Sequence, residues 1–148
     1  MKTTKNKGED LILAMKEKYL KLILCGRKKA EIRRTTPSEG PNRRLWLYFQ
    51  GYIYGYVDVA WRQYTGNNSW YNWTSVKLMA PEHLSCMTDG EISVYLAGAT
   101  DTCVYRLRTA HRFKEPYRTQ VRPQSWMYMP PELRTRLCRK YHIKLNKR

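Results

Sequence analysis

The chain has 148 residues, 42% of them apolar, with five Trp and twelve Tyr. That suffices for one compact domain with a filled core and leaves little room for two. Twenty-eight Lys and Arg against twelve Asp and Glu give a net charge of +16, an excess that attracts polyanions at long range and makes phosphate binding steeply salt-dependent.

No apolar run approaches a membrane span, and the N-terminus MKTTKNKGED lacks the apolar stretch of a signal peptide. The four cysteines, at 25, 86, 103 and 138, form no CxxC pair. The expectation is a cytoplasmic chain with reduced thiols and with no membrane partner, metal or cofactor. On that reading the Asn-x-Ser/Thr sequons at Asn67 and Asn72 carry no meaning.

Residues 1–8 read as a flexible basic N-terminus, 9–142 as a single domain and 143–148 as a basic tail. Asp10 to Met15 is a short apolar run suited to a buried strand. From Glu17 to Cys25, Tyr19, Leu20, Ile23 and Leu24 fall on one helical face with Lys18 and Lys21 opposite. Gly26 stands where a helix C-terminus needs a residue able to take positive φ. From Ala30 the period drops to two, so Glu31 and Arg33 point one way and Ala30, Ile32 and Arg34 the other.

Pro37 to Pro41 is a loop, and Arg44–Gln50 and Tyr52–Tyr64 read as aromatic-rich strands with Gly51 and Gly55 as turn or bulge points. Gln63 to Trp73 reads as a hairpin about the turn Thr65–Ser69. Short helices are predicted over Pro81–Met87 and over Glu91–Ala97, the latter behind an Asp89 N-cap. A strand over Thr102–Arg108 follows, then an extended basic segment over Pro116–Pro123, and a last helix opened by Pro130-Pro131-Glu132. The sum is an α+β fold: a small mixed β-barrel or strongly bent sheet flanked by short helices.

Gly26-Arg27-Lys28-Lys29-Ala30-Glu31-Ile32-Arg33 resembles the hallmark Gly-x-Lys-x-x-Glu-x-Arg of the ASCH family, a branch of the PUA-like β-barrels, with Gly26, Lys28, Glu31 and Arg33 matching at each fixed position. The lead-in helix from Tyr19, the passage from Tyr95-Leu-Ala-Gly98 to Glu115-Pro116, and Pro123–Tyr128 extend the likeness over roughly residues 10 to 130. The resemblance implies a PUA-like barrel and two functional classes. One is binding of RNA or single-stranded nucleic acid; the other is hydrolysis, either as in a bacterial ASCH group that deacetylates N4-acetylcytidine or as a ribonuclease. That deacetylase group uses a Lys, a Thr and a Glu; its Lys matches Lys28, but Glu31 stands where it has Thr, and Glu82 and Glu91 are only loose matches for its Glu.

The expected cleft is built on Lys28, Glu31 and Arg33. Arg33 is expected to grip Glu31 by a two-pronged pair, leaving Lys28 free for phosphate or a base carbonyl. As an enzyme, the catalytic pair would be Lys28 and Glu31. Arg27, Arg34, Arg43, Arg44 and Arg118 are candidate phosphate contacts. Tyr48, Trp126 and Tyr128 are candidate stacking faces, and Gln124 and Ser125 candidate readers of base edges. An acidic protein is the further partner class that the charge allows.

Overall fold

The computed structural model describes residues 10–37, 40–66 and 70–144. Its elements are β1 (Leu11–Ala14), α1 (Glu17–Leu24), β2 (Ala30–Arg33), β3 (Arg44–Phe49), β4 (Tyr52–Gly66), α2 (Trp70–Met79), α3 (Glu82–Ser85), α4 (Asp89–Leu96), β5 (Thr102–Arg118), β6 (Trp126–Tyr128) and α5 (Pro131–Lys140). The six strands form one curled half-barrel sheet in the order β2-β5-β4-β3-β1-β6. All neighbours are antiparallel except β1 and β3.

Strict alternation divides the core between the two faces of this sheet. Leu11, Leu13, Leu45, Leu47, Cys103 and Tyr105 share one face with Leu20, Ile23 and Leu24 of α1. Ile12, Trp46, Tyr48, Tyr56 and Phe113 point the other way, against Leu133 and Leu137 of α5. A third cluster packs Ala30, Ile32 and Val104 under Val76, Ile92 and Leu96 of α2 and α4. Asp10, wholly buried, secures the α5 side: its carboxylate accepts from Trp46 Nε1 at 3.0 Å and from Arg134 Nε at 2.9 Å.

Three elements differ from the sequence reading. The chain after β4 is not the second arm of a hairpin but the helix α2. Val76 and Ala80 bury at i, i+4 spacing, with Trp73 beside them, so tertiary packing prevails over local strand preference. The N-cap of α4 is Thr88 rather than Asp89; its hydroxyl accepts from the Glu91 amide while Glu91 accepts from the Thr88 amide, a reciprocal capping box. Strand β5 runs on to Arg118, past the predicted end at Arg108. Its register against β4 jumps from Gly55↔Arg112 to Ile53↔Tyr117, a bulged stretch in which Pro116 is accommodated without its missing amide. The N-terminal residues 1–9, the 67–69 part of the expected turn and residues 145–148 of the expected tail lie outside the described residues.

Gly55 shows why a bulge falls where it does. A Cβ there would stand 2.3 Å from the His111 carbonyl oxygen and 3.1 Å from Leu24 Cδ2, so β4 and β5 approach each other only over a glycine. Gly55→Ala is therefore expected to destabilise by about 1–3 kcal/mol, read as a lower urea midpoint at unchanged m-value.

Candidate nucleic-acid interface

The site begins at the end of α1. The Gly26 amide donates to Ile23 O, and the Arg27 and Lys28 amides both donate to Leu22 O, with Gly26 at φ +86°. This Schellman closure satisfies the helix carbonyls and turns the chain sharply into β2. Lys28 Nζ donates to the Ser85 carbonyl at the end of α3 and lies 4.8 Å from the centroid of the Tyr19 ring. The Lys29 amide donates to Leu84 O, fixing the same junction a second time.

Two residues on, Glu31 Oε1 stands 3.7 Å from Lys28 Nζ, and Glu31 Oε2 accepts from Arg33 Nη1 at 3.0 Å. The expected two-pronged grip on Glu31 is not what forms. Arg33 instead spends Nη2 on the carbonyls of Ala14 (3.1 Å) and Ser125 (2.9 Å) and on Ser125 Oγ (3.0 Å). One guanidinium thus joins β2 to the ends of β1 and the segment before β6, the two margins of the open sheet. Nor is Lys28 free: Lys28, Glu31 and Arg33 are only 2%, 5% and 6% exposed. Burial opposes the Arg33 charge, but the charge and hydrogen bond of Glu31, together with the nearby Tyr95 and Tyr105, hold the guanidinium above its ordinary pKa.

These three residues line a cavity of about 1060 Å³ between α1 and α4. Tyr19, Phe49, Met87, Val94 and Tyr95 supply aromatic and apolar wall, and Lys16, Glu91 and Gln124 add polar groups. Burial raises the Tyr95 phenol, despite the opposing charge of Arg33, so it stays neutral and able to donate a hydrogen bond. Glu91 is held below the usual carboxylate range by the hydrogen bond from the Thr88 amide.

The other sequence-predicted residues scatter. Gln124 lines the cavity and Ser125 is spent on Arg33. Trp126 and Tyr128 meet edge-on, 5.4 Å between centroids, packed against the α1-face core. Tyr48 is buried on the α5 face, and Arg44 is buried with it, paired to Asp58 at 2.7 Å and 4.3 Å from the Tyr56 ring. These two are not brought to the cavity: the alternation of β3 turns Trp46 and Tyr48 away from it. Arg27, Arg34, Arg43 and Arg118 are exposed and none lines the cavity; Arg34 Nη2 is held by Ala97 O.

The sequence reading missed most of the wall. Tyr19 and Phe49 looked like core, and only their place at the margin of an apolar stripe marked them. The capping box Thr88-x-x-Glu91 was the available signal for the opposite wall. Among the described residues no group of three His, Cys, Asp or Glu is placed to hold a metal, all four cysteines are free, and no helix is long and apolar enough to cross a membrane.

A curled mixed sheet with five helices and a charged cavity at the helix–strand junction has the architecture of a PUA-like domain. The chain belongs to the ASCH domain family, whose profile matches residues 13–86. Three crystal structures of an ASCH protein from Zymomonas mobilis share the fold. The unsubstituted protein superposes at a TM-score of 0.71 with 16% identity, covering 88% of this chain and 94% of its own. A serine-to-alanine variant gives 0.74 at 14% identity, covering 90% and 97%. A tyrosine-to-phenylalanine variant gives 0.73 at 15%, covering 88% and 97%. No curated protein sequence matches the chain significantly.

Two outcomes follow from the site's construction. Arg33→Met leaves the buried Glu31 with Lys28 alone and is expected to cost about 3–5 kcal/mol in chemical denaturation. Glu91 has a lowered folded pKa, so its stabilisation is present above the ordinary Glu value and lost as pH falls through the lowered one. A Glu91→Gln variant is expected to lose stability at neutral pH and to depend less on pH across that acid window, read from thermal melts between pH 7 and 3.

Proposed function

We propose that this ASCH domain binds RNA or another single-stranded nucleic acid by taking one base into the cavity beside Lys28, Glu31 and Arg33. The observation that carries this reading is the make-up of that cavity. An apolar and aromatic wall of Tyr19, Phe49, Met87 and Tyr95 faces a floor of fixed charges. Such a space accepts the π-face of a splayed base while offering donors and an acceptor to its edge. A closed duplex offers neither. Arg33 Nε is buried with no partner among the described residues, so the floor retains a donor for a ligand or a bound water. The net charge of +16 supplies the long-range attraction for the phosphate backbone.

Lys28 and Glu31 also support a second reading. An ammonium 3.7 Å from a carboxylate, both shielded from bulk water, is a constellation able to polarise a carbonyl and move a proton. On that reading the protein is a hydrolase of a modified nucleoside such as N4-acetylcytidine, or of RNA, with Lys28 and Glu31 catalytic. Glu91 adds a carboxylate to the same wall, although one of its oxygens is occupied by the Thr88 amide.

Titration of labelled single-stranded RNA, single-stranded DNA and duplex RNA at low and moderate salt separates these readings. The expected order favours single strands. Tyr19→Ala and Tyr95→Ala should each weaken binding by about 1–3 kcal/mol if they stack on the base, while Leu78→Ser, at an exposed residue that does not line the cavity, should leave it unchanged. Absence of binding to every probe at low salt sinks the proposal. Turnover of N4-acetylcytidine or RNA that disappears in both Lys28→Ala and Glu31→Gln would favour the hydrolase instead.

A further inference from the structure

The helix α5 carries more cations than the fold's ion pairs use. Leu133, Leu137 and Cys138 bury its inner face, and Arg134 is paired to Asp10. Arg136, Arg139 and Lys140 occupy the exposed face at i, i+3 and i+4, and exposed Lys144 follows just past the helix end. That spacing places the three helical cations side by side on one stripe. Glu132 stands four residues before Arg136, yet no ion pair joins them, and among the described residues Arg136, Arg139 and Lys144 have no acidic partner. Lys140 lies 5.6 Å from the centroid of the Tyr141 ring, which is itself stacked on Phe113 at 3.8 Å.

The segment after α5 is held in place rather than left to the solvent. Tyr141 Oη donates to Glu115 O, the Ile143 amide to Cys138 O, and Arg44 Nη1 to Lys144 O. Cations in the last turn complement the helix dipole, which accounts for Arg139 and Lys140. It does not account for Arg136, a turn earlier, or for Lys144, neither of which has an acidic partner among the described residues.

We infer that the outer face of α5, with Lys144, is a second binding surface for the phosphate backbone of a nucleic acid. It lies on the opposite face of the sheet from α1, Glu31 and Arg33. Alternation along β1 establishes this: Leu11 and Leu13 pack with α1, and Ile12 between them packs with α5. A lipid surface fits less well, because Leu133 and Leu137, the large apolar side chains of α5, are turned into the core and cannot insert. The stripe also offers donors only, so it can hold phosphates in any sequence but cannot read bases as a hydrogen-bond acceptor would. This inference rests on the nucleic-acid reading of the domain, but not on the cavity being where a base enters.

The test compares a tetranucleotide, too short to engage both faces, with a thirty-nucleotide oligouridylate, each titrated across a range of salt. The variant replaces Arg136, Arg139, Lys140 and Lys144 with Gln; a second, Arg136→Gln with Lys144→Gln, keeps the last-turn cations and so the helix end. Both are checked for unchanged melting before use. The expected result for the first variant is at least a tenfold loss on the long strand and a salt slope shallower by about 2–3, at about 0.7 for each phosphate no longer neutralised. Tetranucleotide binding should stay within twofold.

An unchanged affinity and slope on the long strand overturns the inference, as does an equal loss on both probes, which would mark a general field effect. Binding of phosphatidylserine vesicles in place of RNA overturns it as well. If Tyr19→Ala with Tyr95→Ala leaves both probes unaffected while the α5 variant loses the long one, the cavity reading falls and this one stands. Failure of the unsubstituted protein to bind the long strand at low salt removes both.

Discussion

The structure depends on one guanidinium. A six-stranded sheet that curls without closing has two free margins, and here β2 forms one and β6 the other. Arg33 Nη2 reaches from β2 to the carbonyls at Ala14 and Ser125 and to the Ser125 hydroxyl, while Glu31 holds Nη1. Five fixed donors on a planar group suit this task; a flexible ammonium could not satisfy an acid and two backbone segments in one geometry. Burying the charge is costly, and Glu31 with its oriented carbonyls offsets that cost. The cavity is a by-product of this joint: the margins are tied by a side chain rather than a ladder, so space remains between them.

That arrangement gives Lys28 and Glu31 two roles that are hard to separate. Lys28 joins α3 to the α1–β2 turn through Ser85 O, and Glu31 neutralises both cations. A ligand in the cavity would meet groups whose directions are already set, with little rearrangement left to oppose binding. The same rigidity means that a substitution here changes fold and site together, so stability must be measured beside any binding loss.

Much of this could be read from the residues. The motif Gly26–Arg33 fixed the helix end, the turn and the inward face of β2, because positive φ, a period of two and paired charges each leave a local trace. The α+β sheet followed from alternating aromatic runs. What was not legible was direction across space. Tyr48 and Arg44 carry the right chemistry for a nucleic-acid surface, yet the phase of β3 turns both to the α5 side. The residues up to Trp73 read as the far arm of a hairpin because aromatic residues favour strands; the apolar bed formed by Ala30, Ile32 and Val104 receives Val76 and Ala80 and makes the stretch a helix. The partners of Arg33, at Ala14 and Ser125, lie far apart along the chain, and no local pattern reports them.

The closure at Leu22 has a consequence for how such a sequence can change. One carbonyl accepts the amides of both Arg27 and Lys28, so the backbone of Lys28 is placed by the end of α1, while Glu31 and Arg33 are placed by pairing with Tyr105 and Cys103. The short span from Gly26 to Arg33 is therefore a gauge block between a helix and a sheet. Its open positions tolerate exchange of side chains, but a single inserted or deleted residue would turn Glu31 and Arg33 to the opposite face of β2 and unfasten the sheet. Drift in such a chain should accumulate as substitution around a motif of constant length.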